Sequence, residues 1–221
     1  MRAVIFDMYE TLITEWGNSY KSHEISRDLQ VEWKEFVRLW HELEHDRSSG
    51  KVSFEEVMHL IMKELGCDNE EACDEVIRKR YEIKAACFNN LHKDIIAVMD
   101  KLKEKGLKIG LISNCFSEEA IVIRKSILFP YFDAAVLSYE AGLVKPDRRI
   151  YELCTAQLEV APEDCLYIGD GGSNELYGAR DYGMRAFQAG WYLKEYCSGY
   201  QIEGFECLDS PLEILKILNI I

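Results

Sequence analysis

Hydrophobic positions along this chain change period twice. Val4-Ile5-Phe6 is a short unbroken apolar run that stops on Asp7, with a hydroxyl residue, Thr11, four places further on. A β-branched and aromatic run bounded by polar residues reads as a fully buried strand of a parallel sheet. Beyond Leu12 the period becomes helical. Trp33, Phe36, Val37, Trp40 and Leu43 recur at three- and four-residue steps until Ser48-Ser49-Gly50 breaks the pattern. Ser53 with Glu56 has the spacing of a capping box, opening a helix that carries Val57, Leu60, Ile61 and Leu65 inward and closes at Gly66. A third amphipathic helix runs through Val76, Ile77 and Tyr81.

From about His92 helices and strands alternate. Ile95, Val98, Met99 and Leu102 share a helix face ended by Gly106, and Leu107–Ile112 is a second buried strand that ends at Ser113-Asn114. Ser117 is placed to cap a helix through Ile121, Ile123 and Ile127, and residues 134–137 form a third strand. After a loop with Gly142, Lys145 and Pro146, Asp147 caps a helix through Ile150, Leu153 and Leu158. Residues 165–168 form a fourth strand leading into Gly169-Asp170-Gly171-Gly172, residues 173–182 a helix stopped by Gly183, and residues 184–188 a fifth strand. Ser210-Pro211 opens a closing helix, with Ser as N-cap and Pro at the first turn. Such alternation predicts an α/β fold: a doubly wound parallel Rossmann-like core sheet with a small all-α cap inserted after the first strand. The expected division is 1–13 and 90–221 for the core and 14–89 for the cap.

Composition narrows the partners. A formal net charge of -13 and a pI near 4.9 argue against a polyanionic nucleic-acid partner, and an anionic substrate then needs locally placed cations. The eight cysteines are scattered without a C-x-x-C pair or zinc-like spacing, which fits reduced core thiols in a reducing cytosol. No apolar run reaches transmembrane length, and too few apolar residues precede Asp7 for a signal peptide. The expectation is a soluble cytoplasmic protein without a membrane partner.

Polar residues with chemical potential collect at the predicted strand ends: Asp7 with Thr11, Ser113 with Asn114, Lys145 on a loop, and Asp170 with Glu175. Singly, each reads as a cap, a turn residue or a solvated loop charge. In an open α/β sheet, however, strand C-termini converge on one crevice, so the set points to a single site.

On these residues the chain resembles the haloacid dehalogenase-like (HAD) hydrolase superfamily. Its first motif corresponds to Asp7-Met8-Tyr9-Glu10-Thr11-Leu12, its second to Ser113-Asn114, and its third to Lys145-Pro146-Asp147 with Tyr151 downstream. The fourth corresponds to residues 169–175, followed by Gly178-Ala179, and the helical insert falls where that superfamily carries its cap. The resemblance implies Asp7 as a nucleophile that forms a covalent intermediate later cleaved by water. It implies hydrogen bonds from Ser113 and Asn114 to phosphoryl oxygens, a catalytic-site role for Thr11, and Lys145 as the cation that neutralises phosphoryl charge. It also implies a Mg²⁺ cofactor, held by Asp7, the backbone carbonyl of Tyr9, Asp170 and Glu175, directly or through water. Gly171 and Gly172 would let the backbone approach closely there. The implied substrate is a small phosphorylated metabolite.

Two positions depart from the family pattern. Tyr9 stands where phosphatases of the superfamily usually carry a second aspartate as general acid and base, and Glu10 stands where they carry glycine. A phenol, with a pKa of about 10, can donate a proton but is a poor base near neutrality. Glu10 is expected to face solvent. Tyrosine at the position of Tyr9 resembles the 2-haloacid dehalogenases, which work without metal and hold halide with a cap arginine; Arg38 is the nearest candidate here. A weakly catalytic binding protein on the same scaffold is a further alternative. The acidic set favours the metal-dependent hydrolase, because Asp7, Asp170 and Glu175 repel one another unless a cation joins them. Among the cap aromatics Trp16, Tyr20, Trp33 and Trp40, helical spacing favours core positions over an entrance lining.

Overall fold

A computed structural model describes residues 1–17, 19–193 and 201–221. Its elements, in chain order, are β1 (Ala3–Phe6), α1 (Ser22–Asp28), α2 (Trp33–Glu42), α3 (Glu44–Ser48), α4 (Phe54–Glu64), α5 (Glu70–Ala86) and α6 (Ile95–Glu104). There follow β2 (Lys108–Ser113), α7 (Ser117–Lys125), β3 (Ala134–Leu137), α8 (Ser138–Ala141), α9 (Arg148–Leu158), β4 (Cys165–Gly169), α10 (Glu175–Tyr182), β5 (Arg185–Ala189), β6 (Cys207–Leu208) and α11 (Leu212–Ile217).

The six strands form one parallel sheet in the order β3-β2-β1-β4-β5-β6. Chain order runs outward from β1 through β2 to β3 and then returns to β4 on the other side of β1. Strand order therefore reverses beside β1, and a crevice opens there beyond the carboxyl ends of the strands. Phe6 is in register with Leu111 of β2 and Ile168 of β4, so Asp7, Ser113 and Asp170 all emerge near the same end of the sheet.

Every residue of β1 is buried, with Val4 and Phe6 on one face and Ala3 and Ile5 on the other. Each face has its own apolar layer, which is why the run shows no polar alternation. The helical insert between β1 and β2 has a third cluster, including Tyr20, Ile25, Phe36, Phe54, Val57, Ile61 and Val76. The Ser53–Glu56 capping box forms with both of its hydrogen bonds. No helix among the described residues is long and apolar enough to cross a membrane.

Several local expectations fail for identifiable reasons. A sixth strand pairs Gln188 and Ala189 with Cys207 and Leu208, and two residues are too short to leave a periodic signal. The helix read through Leu43 ends at Glu42, and Leu43 begins a separate turn, α3. An additional helix, α1, precedes it. Leu60, Ile121 and Ile127 face solvent, Ile127 at 62% exposure, so period alone overstated the width of their buried stripes. Trp33 is 46% exposed and Trp16 is exposed too, against their expected core placement, whereas Tyr20 is buried.

Ser117 does not cap its own helix, α7, whose N-cap is Phe116. Its hydroxyl instead accepts the N–H of Phe54, at the start of α4, at 2.7 Å. The helix expected from residue 173 begins at Glu175, because Ser173 and Asn174 adopt left-handed backbone angles.

Candidate active site

The tip of β1 delivers Asp7, whose backbone N–H donates to the carbonyl of Ile168 at 2.9 Å. Its carboxylate is buried, with 6% of the residue exposed. Lys145, likewise buried, donates from Nζ to Asp7 Oδ1 at 2.6 Å and to the carbonyl of Ile112 at 3.2 Å, and it also bonds Glu175 Oε2. Asn114 fixes the Lys145 backbone from both sides: its Oδ1 accepts the Lys145 N–H at 2.8 Å and its Nδ2 donates to the Lys145 carbonyl at 3.3 Å. Both ends of the Asn114 amide thus act on the lysine loop.

Glu175 opens α10 with its side chain fully buried. The Tyr167 hydroxyl donates to Oε2 at 2.7 Å, the Gly171 N–H donates to Oε1 at 3.1 Å, and the Tyr151 hydroxyl donates to the Glu175 carbonyl at 2.9 Å. Gly169 has to be glycine here, since a Cβ would occupy the space of the Glu175 carboxylate. Asp170 accepts the Gly172 N–H at 3.0 Å, and its carbonyl accepts from Gln188 Nε2 at 2.9 Å. Gln188 and Tyr167 escaped the sequence reading. The only signal for either was a polar atom in a buried stretch of strand.

Carboxylate oxygens of Asp7, Asp170 and Glu175 lie within 4.8 Å of one another. Lys145 is their only basic ion-pair partner among the described residues. Burial, reinforced by the charge of Glu175, pushes the Asp7 carboxyl up to about 8 even though Lys145 pulls it down. Burial and Glu175 likewise push Asp170 up to about 7. Burial alone would lower Lys145, but Asp7 and Glu175 outweigh it and the ammonium titrates above its usual range. Three acidic groups with one counter-cation in a desolvated pocket form a donor set that a divalent cation with a preference for hard oxygen would complete. The hydroxyls of Thr11 and Ser113 are buried with no hydrogen-bond partner. Unsatisfied buried donors at a strand-tip crevice are suited to the oxygens of an anionic ligand.

The two unusual positions of the first motif face the insert. The Tyr9 ring packs under the insert, with Lys84 Nζ 4.9 Å from its centroid. Its hydroxyl is buried without a partner, and burial raises its pKa well above that of an ordinary phenol. Glu10 is not free in solvent as expected: it accepts the Thr14 hydroxyl at 2.7 Å and the Glu15 N–H at 2.8 Å, and partial burial raises its pKa. Arg38 lies on the outer face of α2, paired with Glu35 and Glu42.

A family model described as haloacid dehalogenase-like hydrolase matches residues 1–183. A glyceraldehyde 3-phosphate phosphatase of Methanopyrus kandleri is 24% identical, with 99% of this chain and 97% of that protein covered. Among solved structures, a 2-haloacid dehalogenase from Pseudomonas syringae superposes with a TM-score of 0.74 at 18% identity, covering 99% of this chain and 98% of the other. A HAD family enzyme from Bacteroides thetaiotaomicron, a mutant in complex with magnesium and inorganic phosphate, gives 0.64 at 16% identity, covering 92% and 97%.

Proposed function

The chain belongs to the haloacid dehalogenase-like hydrolase family, and from that premise we propose that it is a magnesium-dependent phosphatase of small phosphorylated metabolites, with Asp7 as nucleophile. The observation that carries this reading is the clustering of Asp7, Asp170 and Glu175 around a single lysine. The phosphatase relative and the magnesium- and phosphate-bound structural relative lend it support. Residues 14–89 are taken as the cap and the remainder as the core.

Asp7, the Tyr9 carbonyl, Asp170 and Glu175 would hold Mg²⁺, directly or through water, and the ion would supply positive charge to the phosphoryl oxygens. The Asp7 carboxylate attacks phosphorus, a P–O bond to Asp7 forms, and the bond to the leaving oxygen breaks. Lys145 neutralises phosphoryl charge while holding Asp7 in place, and the Thr11 and Ser113 hydroxyls donate to phosphoryl oxygens. Water then cleaves the aspartyl-phosphate, restoring Asp7 and releasing inorganic phosphate. Asn114 contributes by fixing the backbone of Lys145. Without an aspartate at position 9, the leaving oxygen depends on the buried Tyr9 phenol or on solvent for its proton, which favours substrates with good leaving groups.

Phosphate release from a panel of phosphate esters and acyl phosphates tests the reading. It should require Mg²⁺ and vanish in Asp7→Asn. Turnover that persists undiminished in excess chelator would overturn it. A second reading, 2-haloacid dehalogenase, draws on Tyr9 alone. Halide release from 2-chloropropionate without added metal would establish it, and its absence across the pH range would remove it.

A further inference from the structure

Between the insert and the β2 end of the sheet lies a group of buried charges outside the set described above. Arg80 and Lys84 of α5 face Glu118 and Glu119 of α7. Arg80 Nε donates to Glu118 Oε1 at 3.1 Å and Nη1 to the Tyr20 carbonyl at 2.8 Å. Lys84 pairs with Glu119 at 2.5 Å and with Glu15. In this network every cation has an anionic partner.

Arg47, on α3, does not. It is 1% exposed, yet none of its three guanidinium nitrogens has a hydrogen-bond partner, and it forms no ion pair among the described residues. Its Cζ lies 3.5 Å from the ring centroid of Trp40 and 3.9 Å from that of Phe116. The two rings cover the faces of the guanidinium and offer its N–H groups nothing. Those donors lie in the guanidinium plane and leave by its edge, in a fork that matches a planar carboxylate.

Burial draws the Arg47 pKa down to about 10, with the charge of Glu118 opposing. An isolated buried cation is costly, and one with five unused donors more so.

Its position ties it to the candidate site. Phe116 stands three residues beyond Ser113 on the loop that leaves β2. The equally unpartnered Tyr9 hydroxyl, two residues beyond Asp7, belongs to a ring 4.9 Å from Lys84 Nζ, and Lys84 pairs with Glu119, three residues beyond Phe116 at the start of α7. Arg47, through Phe116, and Tyr9, through Lys84 and Glu119, therefore both flank the start of α7, where the chain leaves Ser113.

We infer that Arg47 is a specificity-determining residue whose guanidinium binds a carboxylate on the part of the substrate that is not transferred. The inference rests on the phosphohydrolase reading and deepens it: the preferred substrates are phosphorylated carboxylic acids rather than neutral phosphate esters. The aromatic clamp holds the fork in one plane, so little rotamer entropy is lost when a carboxylate arrives.

Three three-carbon phosphates that differ in one terminus test it: glycerol 3-phosphate, glyceraldehyde 3-phosphate and 3-phosphoglycerate. The wild type should show the highest kcat/KM for the carboxylate. In Arg47→Met the ratio of carboxylate to alcohol ester should fall by on the order of 10- to 100-fold, the range for loss of a charged hydrogen-bonded pair. Arg47→Lys should recover part of that ratio.

Ligand-free Arg47→Met should melt close to the wild-type temperature, because relief of an unpaired buried charge offsets the loss of two cation–π contacts. A ratio that is the same in wild type and variant, with the variant melting lower, would assign Arg47 to the aromatic clamp alone and overturn the inference while the phosphatase reading stands. A wild type inactive on every phosphate ester would remove that reading, and the inference with it.

Discussion

Lys145 Nζ lies 2.6 Å from Asp7 Oδ1, although the two residues are 138 positions apart in the chain. The lysine also bonds Glu175, and its own backbone is held by Asn114, so three other sequence motifs converge on this one residue. Each of these contacts has a measurable consequence.

Lys145→Met should be more damaging than an ordinary core substitution. It leaves Asp7 and Glu175 buried without a counter-cation, and breaking a buried pair in this way costs about 3–5 kcal/mol. Urea unfolding should show that loss in metal-free buffer, accompanied by a fall in phosphate release of at least about a hundredfold. Wild-type stability in the variant would mean that the lysine is not compensating the acidic cluster.

Magnesium should stabilise the protein and Asp170→Asn should abolish the effect. At a concentration a hundred times its Kd, a ligand that binds only the folded state adds about 2.7 kcal/mol. Thermal melts with Mg²⁺ and with chelator measure the difference. In chelator, Asp170→Asn should match or exceed the wild type, since it relieves repulsion among the carboxylates. Equal magnesium shifts in both proteins would place the ion elsewhere.

Asp28 gives the insert a pH dependence of its own. Lys79, 2.6 Å away, foremost, with hydrogen bonds from Tyr20 and Arg27, holds its carboxyl down at about 2. A folded-state pKa below the unfolded value contributes stability that is present above the unfolded pKa and lost as pH falls through the folded one. The loss therefore runs from about pH 4 down to about pH 2. Asp28→Asn should therefore be less stable than the wild type at neutral pH, meet it below about pH 2, and show a flatter acid limb in that window. A wild-type acid limb in the variant would show that another carboxylate sets it.

Tyr9→Asp should raise turnover of alkyl phosphates more than that of p-nitrophenyl phosphate. A positioned general acid is worth about 10²–10⁴ where the leaving group is poor. The gain should be smaller than that, because position 9 packs beside Lys84, whose ammonium would hold the new carboxylate ionised. Equal changes for both substrates would show that the missing acid is not what limits this protein.

The alternation of strands and helices, the helical insert after β1 and the gathering of Asp7, Ser113, Asp170 and Glu175 near one end of the sheet were all determined by the chain itself. Apolar runs buried on both faces and stops at the strand ends are local properties, and a parallel sheet turns them into one crevice by topology. Tertiary structure alone decided the rest. It turned both ends of the Asn114 amide onto the Lys145 backbone, sent Ser117 to the start of another helix, and drew Glu10 into a turn with Thr14 and Glu15. It also set Arg47, one charge among several in a polar stretch, between two aromatic rings with no hydrogen-bond partner for its guanidinium. Hydrogen-bond partners and local desolvation depend on what the remainder of the chain brings within about 3 Å, and no periodicity along a sequence encodes that.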